Sequence, residues 1–274
     1  MVDSGRKTEG TLLALLFLAV AAITVVAFKW KTWLPPVASV HGHGVDRVID
    51  YLLVATGIMF VAGHLVLAFF VWAGARRTAD VEGSVSTRME WLTALAPVLI
   101  LAGVSEVGVM VMGLPVWAQV YGEPPADALR VEMVGRQFNW TARYPGKDGV
   151  FGRTDPHLVD DENMLGLDGK DPAARDDIVT LGPLTIPANR PIFVQLRSHD
   201  VIHSFSVVHL RVKQDVVPGL VNHTRFVADT EGTYEIGCAQ VCGLGHYRMR
   251  GFVHVVSPAD FETWLSGQSP ALDQ

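Results

Sequence analysis

Cysteine is scarce in this chain, which holds two in 274 residues. Two thiols cannot build the disulfide framework of a small secreted scaffold, so they form one bridge, a metal site or inert side chains. Basic charge is also short: 22 Lys and Arg stand against 28 Asp and Glu, for a formal net charge of −6. That excludes nucleic acid as a partner, because neutralising phosphates takes clustered Lys and Arg. An acidic balance suits association with a basic protein instead. No internal repeat is evident. What the chain has in excess is apolar character, 49% of its residues, too much for an ordinary soluble protein of this length. Most of that excess lies before residue 120.

Three runs carry it. Leu12–Phe28 is uncharged and follows Arg6 and Lys7. Tyr51–Ala73 has His64 as its one ionisable side chain, and Trp91–Trp117 has a single acid, Glu106. The second and third exceed the roughly 20 residues a helix needs to cross a bilayer. A basic start and a short apolar core also describe a signal peptide. The small-residue site Ala19-Val20-Ala21-Ala22 falls inside the first run, however, so we expect a retained helix. Arg6, Lys7, Arg76, Arg77 and Arg88 then lie inside and everything after Trp117 outside, as the positive-inside bias asks, with Lys29, Lys31 and Arg47 working against it. Trp30, Trp33, Trp72, Trp91 and Trp117 fall near span ends, where amphipathic rings favour the headgroup layer.

Beyond Pro124-Pro125 the pattern changes to short β-branched or alternating runs. They are Leu129–Val134, Asn139–Tyr144, Ile178–Leu184, Ile192–Arg197, Ser204–Val208, Thr224–Ala228, Tyr234–Gly237 and Phe252–Val256. Gly, Pro, Asn and Asp punctuate them, which predicts an all-β sandwich or barrel. Between Pro145 and Asp177 the pattern breaks into an acidic, Gly-rich insert, long enough to be functional or mobile. The expected organisation is an extra N-terminal helix with its outer loop (1–49), a helical hairpin (50–121), an outer β domain (126–258) with its insert (145–177), and a tail (259–274).

The chemistry sits near the end. Cys238 and Cys242 are followed by His246 and Met249, with His203 upstream. Thiolate, imidazole and thioether make a soft donor set that favours copper over hard cations. Gly237, Gly243 and Gly245 let the backbone turn closely around a metal. A Cys238–Cys242 disulfide, a zinc site that leaves Met249 idle, and a blue-copper site that leaves one thiol over remain the alternatives.

Taken together, Asp200–Phe205, Val212–Gly219 and Cys238–Met249 resemble, in order and spacing, subunit II of the haem–copper cytochrome c oxidases. Gly135–Trp140 is similar to the aromatic strand that opens the family's copper domain, and Glu90, seven residues before Pro97, to another family pattern. The resemblance implies a membrane-anchored, cupredoxin-like Greek-key β-sandwich carrying a binuclear copper (CuA) centre. Cys238 and Cys242 would bridge the ions, with His203, His246, Met249 and the Gln240 carbonyl completing the set. Electrons would come from cytochrome c or a cytochrome c domain, with Phe138 and Trp140 as transfer candidates, and pass to haem in the large subunit I for oxygen reduction coupled to proton pumping. Subunit III and a larger respiratory supercomplex are further implied partners. The expected location is the bacterial inner membrane, multi-pass, with the copper domain on the periplasmic side.

The chain departs from the family at several points. Gln240 replaces a glutamate that also reaches magnesium or manganese; an amide brings no charge, so the Mg site is not carried over. Phe138 stands where tryptophan is usual, with Trp140 two residues on, on the same strand face. A third span precedes the usual two, and the insert is long. It docks a haem protein or a neighbouring complex, or it is a solvated loop. Glu90 is the candidate mouth of a proton channel. Glu106, about 24 Å further along the helix, must face protein or carry a proton. It and His64 have packing against the large subunit as their default. His41, His43, His209, His223 and His254 lie outside the motif and are read as non-ligands. A nitric oxide reductase carrying the same module, and a membrane-tethered copper module that is no enzyme, are the competing functions. Quinol oxidases lose these ligands, and nitrous oxide reductase needs a large domain absent here.

Overall fold

The computed structural model describes residues 2–29, 34–77 and 85–273. Trp30, Lys31 and Trp33 lie outside the described residues. The chain divides into two compact units, residues 1–34 with 46–114, and residues 35–45 with 115–274.

The helices are α1 (Val2–Lys29), α2 (Val40–Gly74), α3 (Thr87–Ile100), a π-helical turn (Leu101–Glu106) and α4 (Val107–Tyr121), the last three elements running as one continuous helix. Ser4–Lys29, Val40–Gly74 and Thr87–Tyr121 are each long and apolar enough to cross a membrane. Helices suit that setting because lipid offers no partners for backbone polar groups. The second helix starts at Val40, well ahead of the apolar run from Tyr51, since its polar first turns are helical too. At the π turn the backbone ladder is displaced, and the Tyr51 hydroxyl donates to the Val104 carbonyl. A Cβ on Gly108 would overlap the Tyr51 ring and hydroxyl, so glycine leaves room for that side chain. Ser105 faces inward and Glu106 is exposed. His64 Nδ1 lies 2.9 Å from the Phe60 carbonyl, and its ring rests against Phe60 and Phe17.

The second unit is a sandwich of two five-stranded sheets, ordered β3-β2-β1-β5-β8 and β4-β10-β9-β6-β7. The strands are β1 (Leu129–Arg136), β2 (Asn139–Tyr144), β3 (Ile178–Thr180), β4 (Leu184–Pro187), β5 (Pro191–Ser198), β6 (His203–Val207), β7 (Val212–Val216), β8 (Asn222–Val227), β9 (Gly232–Cys238) and β10 (Arg250–Val256). The pairings β1–β5 and β4–β10 are parallel, which forces the crossovers of a Greek-key fold. Alternation decides the faces: in β10, Val253 and Val255 enter the core while His254 between them does not. Burying that apolar face is the main stabilising term, at about 1.5–3 kcal/mol for each large aliphatic side chain. The Tyr144 hydroxyl ties the sheets together, accepting from the Thr185 N–H at 2.9 Å and donating to its carbonyl at 3.0 Å.

One expected strand needs correction. The run Ile178–Leu184 is not one strand: Leu181-Gly182-Pro183 breaks it, β3 joins one sheet and β4 the other. Proline has no N–H for the ladder and fixes its own φ, so the chain turns there. The tail is also structured. Ser257 caps α5 (Pro258–Ser266), and Phe261 and Trp264 pack on the sandwich core.

The segment before α2 belongs to this unit. Ala38 N–H donates to the His209 carbonyl at 2.8 Å, Ser39 hydroxyl to the Leu210 carbonyl at 2.7 Å, and Ser39 bridges Ala228. At the other end, Arg225 on β8 donates to the carbonyls of Gln119 and Ala118, both at 2.6 Å, and of Glu123, capping the end of α4.

The acidic insert is folded around itself. Asp155 and Asp171 cap short 3₁₀ turns, Asp160 accepts from the N–H groups of Glu162 and Asn163, and Thr154 bridges Leu167. Its anchor is buried Arg143 on β2. The guanidinium reaches Glu132 at 3.1 Å, Asp177 at 2.5 Å and the Gly152 carbonyl at 2.5 Å, and lies over the Phe151 ring. Much of the acidic composition is therefore spent on caps and on this internal cation.

Candidate metal centre

Strand ends bring the expected ligands together. His203 opens β6, Cys238 closes β9, and the pairing Phe205↔Cys238 places those two strands side by side. The loop from Cys238 to β10 is held at its base by Cys238 N–H to the Met249 carbonyl and Ala239 N–H to the Ser204 carbonyl, at 3.2 and 3.0 Å. A 3₁₀ turn over His246–Arg248 then swings His246 and Met249 back toward the cysteines. Gly243 has φ +132°, a conformation that disfavours any side chain.

The donors converge as six. The sulfurs of Cys238 and Cys242 are 3.7 Å apart and both cysteines are free. A disulfide needs about 2.05 Å. Cys238 Sγ lies 3.9 Å from His203 Nδ1 and 3.1 Å from the Gln240 carbonyl oxygen. Cys242 Sγ lies 3.6 Å from both His246 Nδ1 and Met249 Sδ. Each imidazole thus flanks a different sulfur. His203, Cys238 and Cys242 offer ligand atoms within 4.8 Å of one another, a set that does not include His246. Donors on a shared metal ion with bonds of about 2.0–2.3 Å stand roughly 3.3–3.8 Å apart, so the separations of 3.6–3.9 Å suit metal ligation. The donor set of thiol, imidazole and thioether suits a soft metal.

Burial pushes the Cys242 thiol up to about 11, with the neighbouring Cys238 adding to the shift. At neutral pH the thiol keeps its proton until a metal displaces it. His203 is fully buried, and its Nε2 meets Asp200 Oδ1 at 2.8 Å, which leaves Nδ1 turned to the sulfurs. Burial alone would raise Asp200. The N–H groups of Gln137 and Val201, together with His203, hold it below its ordinary value. Sequence reasoning singled out Asp200 only as part of a motif, and Gln137 only as a neighbour of Phe138. Their role as partners of ligands was legible in the short spacing of Asp200 to His203, and in no local signal for Gln137.

The remaining candidates fall in different places. Trp140 is buried, with its ring 6.0 Å from His203 and 5.8 Å from Phe205. Phe138 does not share its strand face: β1 ends at Arg136 and β2 starts at Asn139, so Gln137 and Phe138 form the hairpin turn. There Phe138 lies flat on the ligand loop, and a Cβ on Gly245 would come within 2.4 Å of its ring. Around the site the loop exposes Val241, Leu244 and Tyr247, Leu244 at 99%. Glu90 is outside this cluster, in the first turn of α3, whose N-cap is Ser86. The histidines read as non-ligands have other neighbours. His43 meets Asp229 at 3.2 Å, His223 the Tyr121 carbonyl at 3.3 Å, and the His209 ring stacks near Tyr234.

Residues 129–256 match the family described as "Cytochrome C oxidase subunit II, periplasmic domain". Along its length the chain is 35% identical over 263 residues to the "Alternative cytochrome c oxidase subunit 2" of Bradyrhizobium diazoefficiens, covering 93% of this chain and 91% of that one. It is 28% identical over 265 residues to the "Probable cytochrome c oxidase subunit 2" of Rickettsia bellii, covering 96% and 93%. Among solved structures, the periplasmic domain of subunit II of cytochrome oxidase from Bradyrhizobium japonicum aligns at 28% identity and TM-score 0.39, over 53% of this chain and 95% of that one. The chain belongs to the cytochrome c oxidase subunit II family, a membrane-anchored part of an oxidoreductase complex.

Proposed function

We propose that this chain is the electron-accepting subunit of a haem–copper oxidase and that Cys238, Cys242, His203, His246, Met249 and the Gln240 carbonyl hold a binuclear copper centre. The observation that carries the reading is the pair of free sulfurs 3.7 Å apart with one imidazole beside each. When bound, the copper pair supplies one-electron transfer with the charge shared between equivalent ions. The protein's part is to keep the donors still. Asp200 orients His203, the β6–β9 pairing fixes Cys238, and the 3₁₀ turn sets His246 and Met249. Rigid donors leave little rearrangement between oxidation states.

The exposed Val241, Leu244 and Tyr247 give a neighbouring subunit or the donor protein an apolar surface beside the metal loop. Cytochrome c or a cytochrome c domain is the donor, and a haem-bearing subunit I the acceptor. Phe138, half-buried on the loop, is the more accessible transfer candidate, while Trp140 supports His203 from within. Metal analysis of the full chain in detergent is expected to give two copper ions per chain and no disulfide. One zinc, or a Cys238–Cys242 bridge without copper, would overturn the reading.

Glu90 is proposed as the carboxylate at the mouth of a proton path into subunit I. It is exposed in the first turn of α3, where the helix N-terminus favours a negative charge. Glu90→Ala is expected to slow steady-state turnover of the assembled oxidase while leaving its copper content unchanged. Turnover equal to wild type would remove the role.

A further inference from the structure

The hairpin turn between β1 and β2 does more than present Phe138. Gln137 sits where two otherwise separate sources of ligands meet. Its main-chain N–H donates to Asp200 Oδ2 at 2.8 Å, and Asp200 Oδ1 in turn holds His203 Nε2 at 2.8 Å. Its side-chain Nε2 donates to the carbonyl of Cys242 at 2.5 Å. One residue therefore ties the start of β6, which supplies His203, to the β9–β10 loop, which supplies the cysteines. The fit is close: a Cβ on Gly243 would lie 2.6 Å from Gln137 Nε2. Gly243 and Gly245 let the turn rest against the loop, and the amide then fastens it.

From this juxtaposition we infer that Gln137 is a positioning residue for the metal centre, an inference that rests on the copper reading above. It touches no reacting atom. It acts by holding the Cys242 main chain at a fixed distance from the Asp200–His203 pair, so that donors on opposite sides of the site keep their spacing with and without metal. Groups that orient ligands in this way are worth roughly 10–100-fold in metal affinity. The donor, and not merely the bulk, carries the effect, because the Cys242 carbonyl can only accept.

Two substitutions of similar size separate these contributions. Gln137→Leu keeps the volume and the main-chain N–H to Asp200 but loses the donor. Gln137→Glu keeps the shape and turns an acceptor toward the carbonyl. With full-length protein in detergent, copper affinity by competition against a chelator is expected to fall about 10–100-fold in both, and the copper electron-spin-resonance pattern to change. The metal-free chains should unfold at the wild-type temperature, since the turn is exposed. Wild-type affinity and spectrum in either variant would overturn the inference. So would a drop in metal-free stability as large as the loss of affinity, which would make Gln137 a structural residue only. Failure of the wild-type chain itself to bind copper would instead reject the copper reading, a distinguishable result.

Discussion

Cys238→Ser and Cys242→Ser are each expected to abolish the proposed two-copper centre. A serine hydroxyl is a hard, weakly acidic donor, whereas the site depends on soft thiolates. Each sulfur also serves two sides of the site. Cys238 lies between His203 and Gln240, and Cys242 between His246 and Met249. Removing either leaves a single thiolate sulfur to serve both ions. The loss of affinity should exceed the roughly 10–100-fold that follows from disturbing an outer partner. Met249→Leu, which removes only a thioether, is expected to keep two ions and shift their spectrum. Copper counted per chain, alongside a free-thiol assay, checks all three variants. Two ions retained in either serine variant would sink the assignment of bridging roles.

Arg143→Leu should bring the largest loss of stability. The guanidinium is buried and answers two carboxylates, Glu132 and Asp177, which are also buried. Removing one partner of such a cluster typically costs about 3–5 kcal/mol, because an uncompensated charge stays behind. For a domain of this size that corresponds to a melting temperature lower by roughly 10 °C. Burial pushes Asp177 above the ordinary carboxylate range, with Arg143 and the Gly152 N–H pulling it back. Asp177→Asn is therefore expected to be milder than Arg143→Leu. The pH dependence has a definite sign. The folded carboxyl holds its proton more tightly than the unfolded one, so its contribution is full below the unfolded value of 3.8 and fades as pH rises through the folded value. Thermal unfolding of both variants checks this. Equal, small shifts would show that the insert does not depend on the cluster.

The proposed ligand set stands out in the sequence because most of its donors are crowded into one short stretch, Cys238–Met249. Only His203 comes from elsewhere, and its short motif marks it. The helices were readable from apolar length, although the polar first turns of α2 carried no such mark. Strand boundaries were less legible. Ile178–Leu184 looks like one β-branched run, and only the sheet pairing reveals that Pro183 divides it between layers. The strand β7, Val212–Val216, was hidden because Lys213 and Asp215 fill its exposed face and Gln214 interrupts the apolar one. The insert misled in another way: clustered aspartates looked like a charged surface, whereas several turn inward as caps and as partners of Arg143, a residue distant in the sequence from Asp177. Tertiary pairing of this kind leaves no local periodicity.

The π-helical turn at Leu101–Glu106 has a consequence for how the third span is counted. Such a turn accommodates one surplus residue while the helix on either side keeps its phase. Positions before Leu101 and after Glu106 are therefore offset by one in angular terms, and a simple tally at about 100° per residue misjudges which faces residues on the two sides of the turn share. A sister chain one residue shorter here would present the same faces.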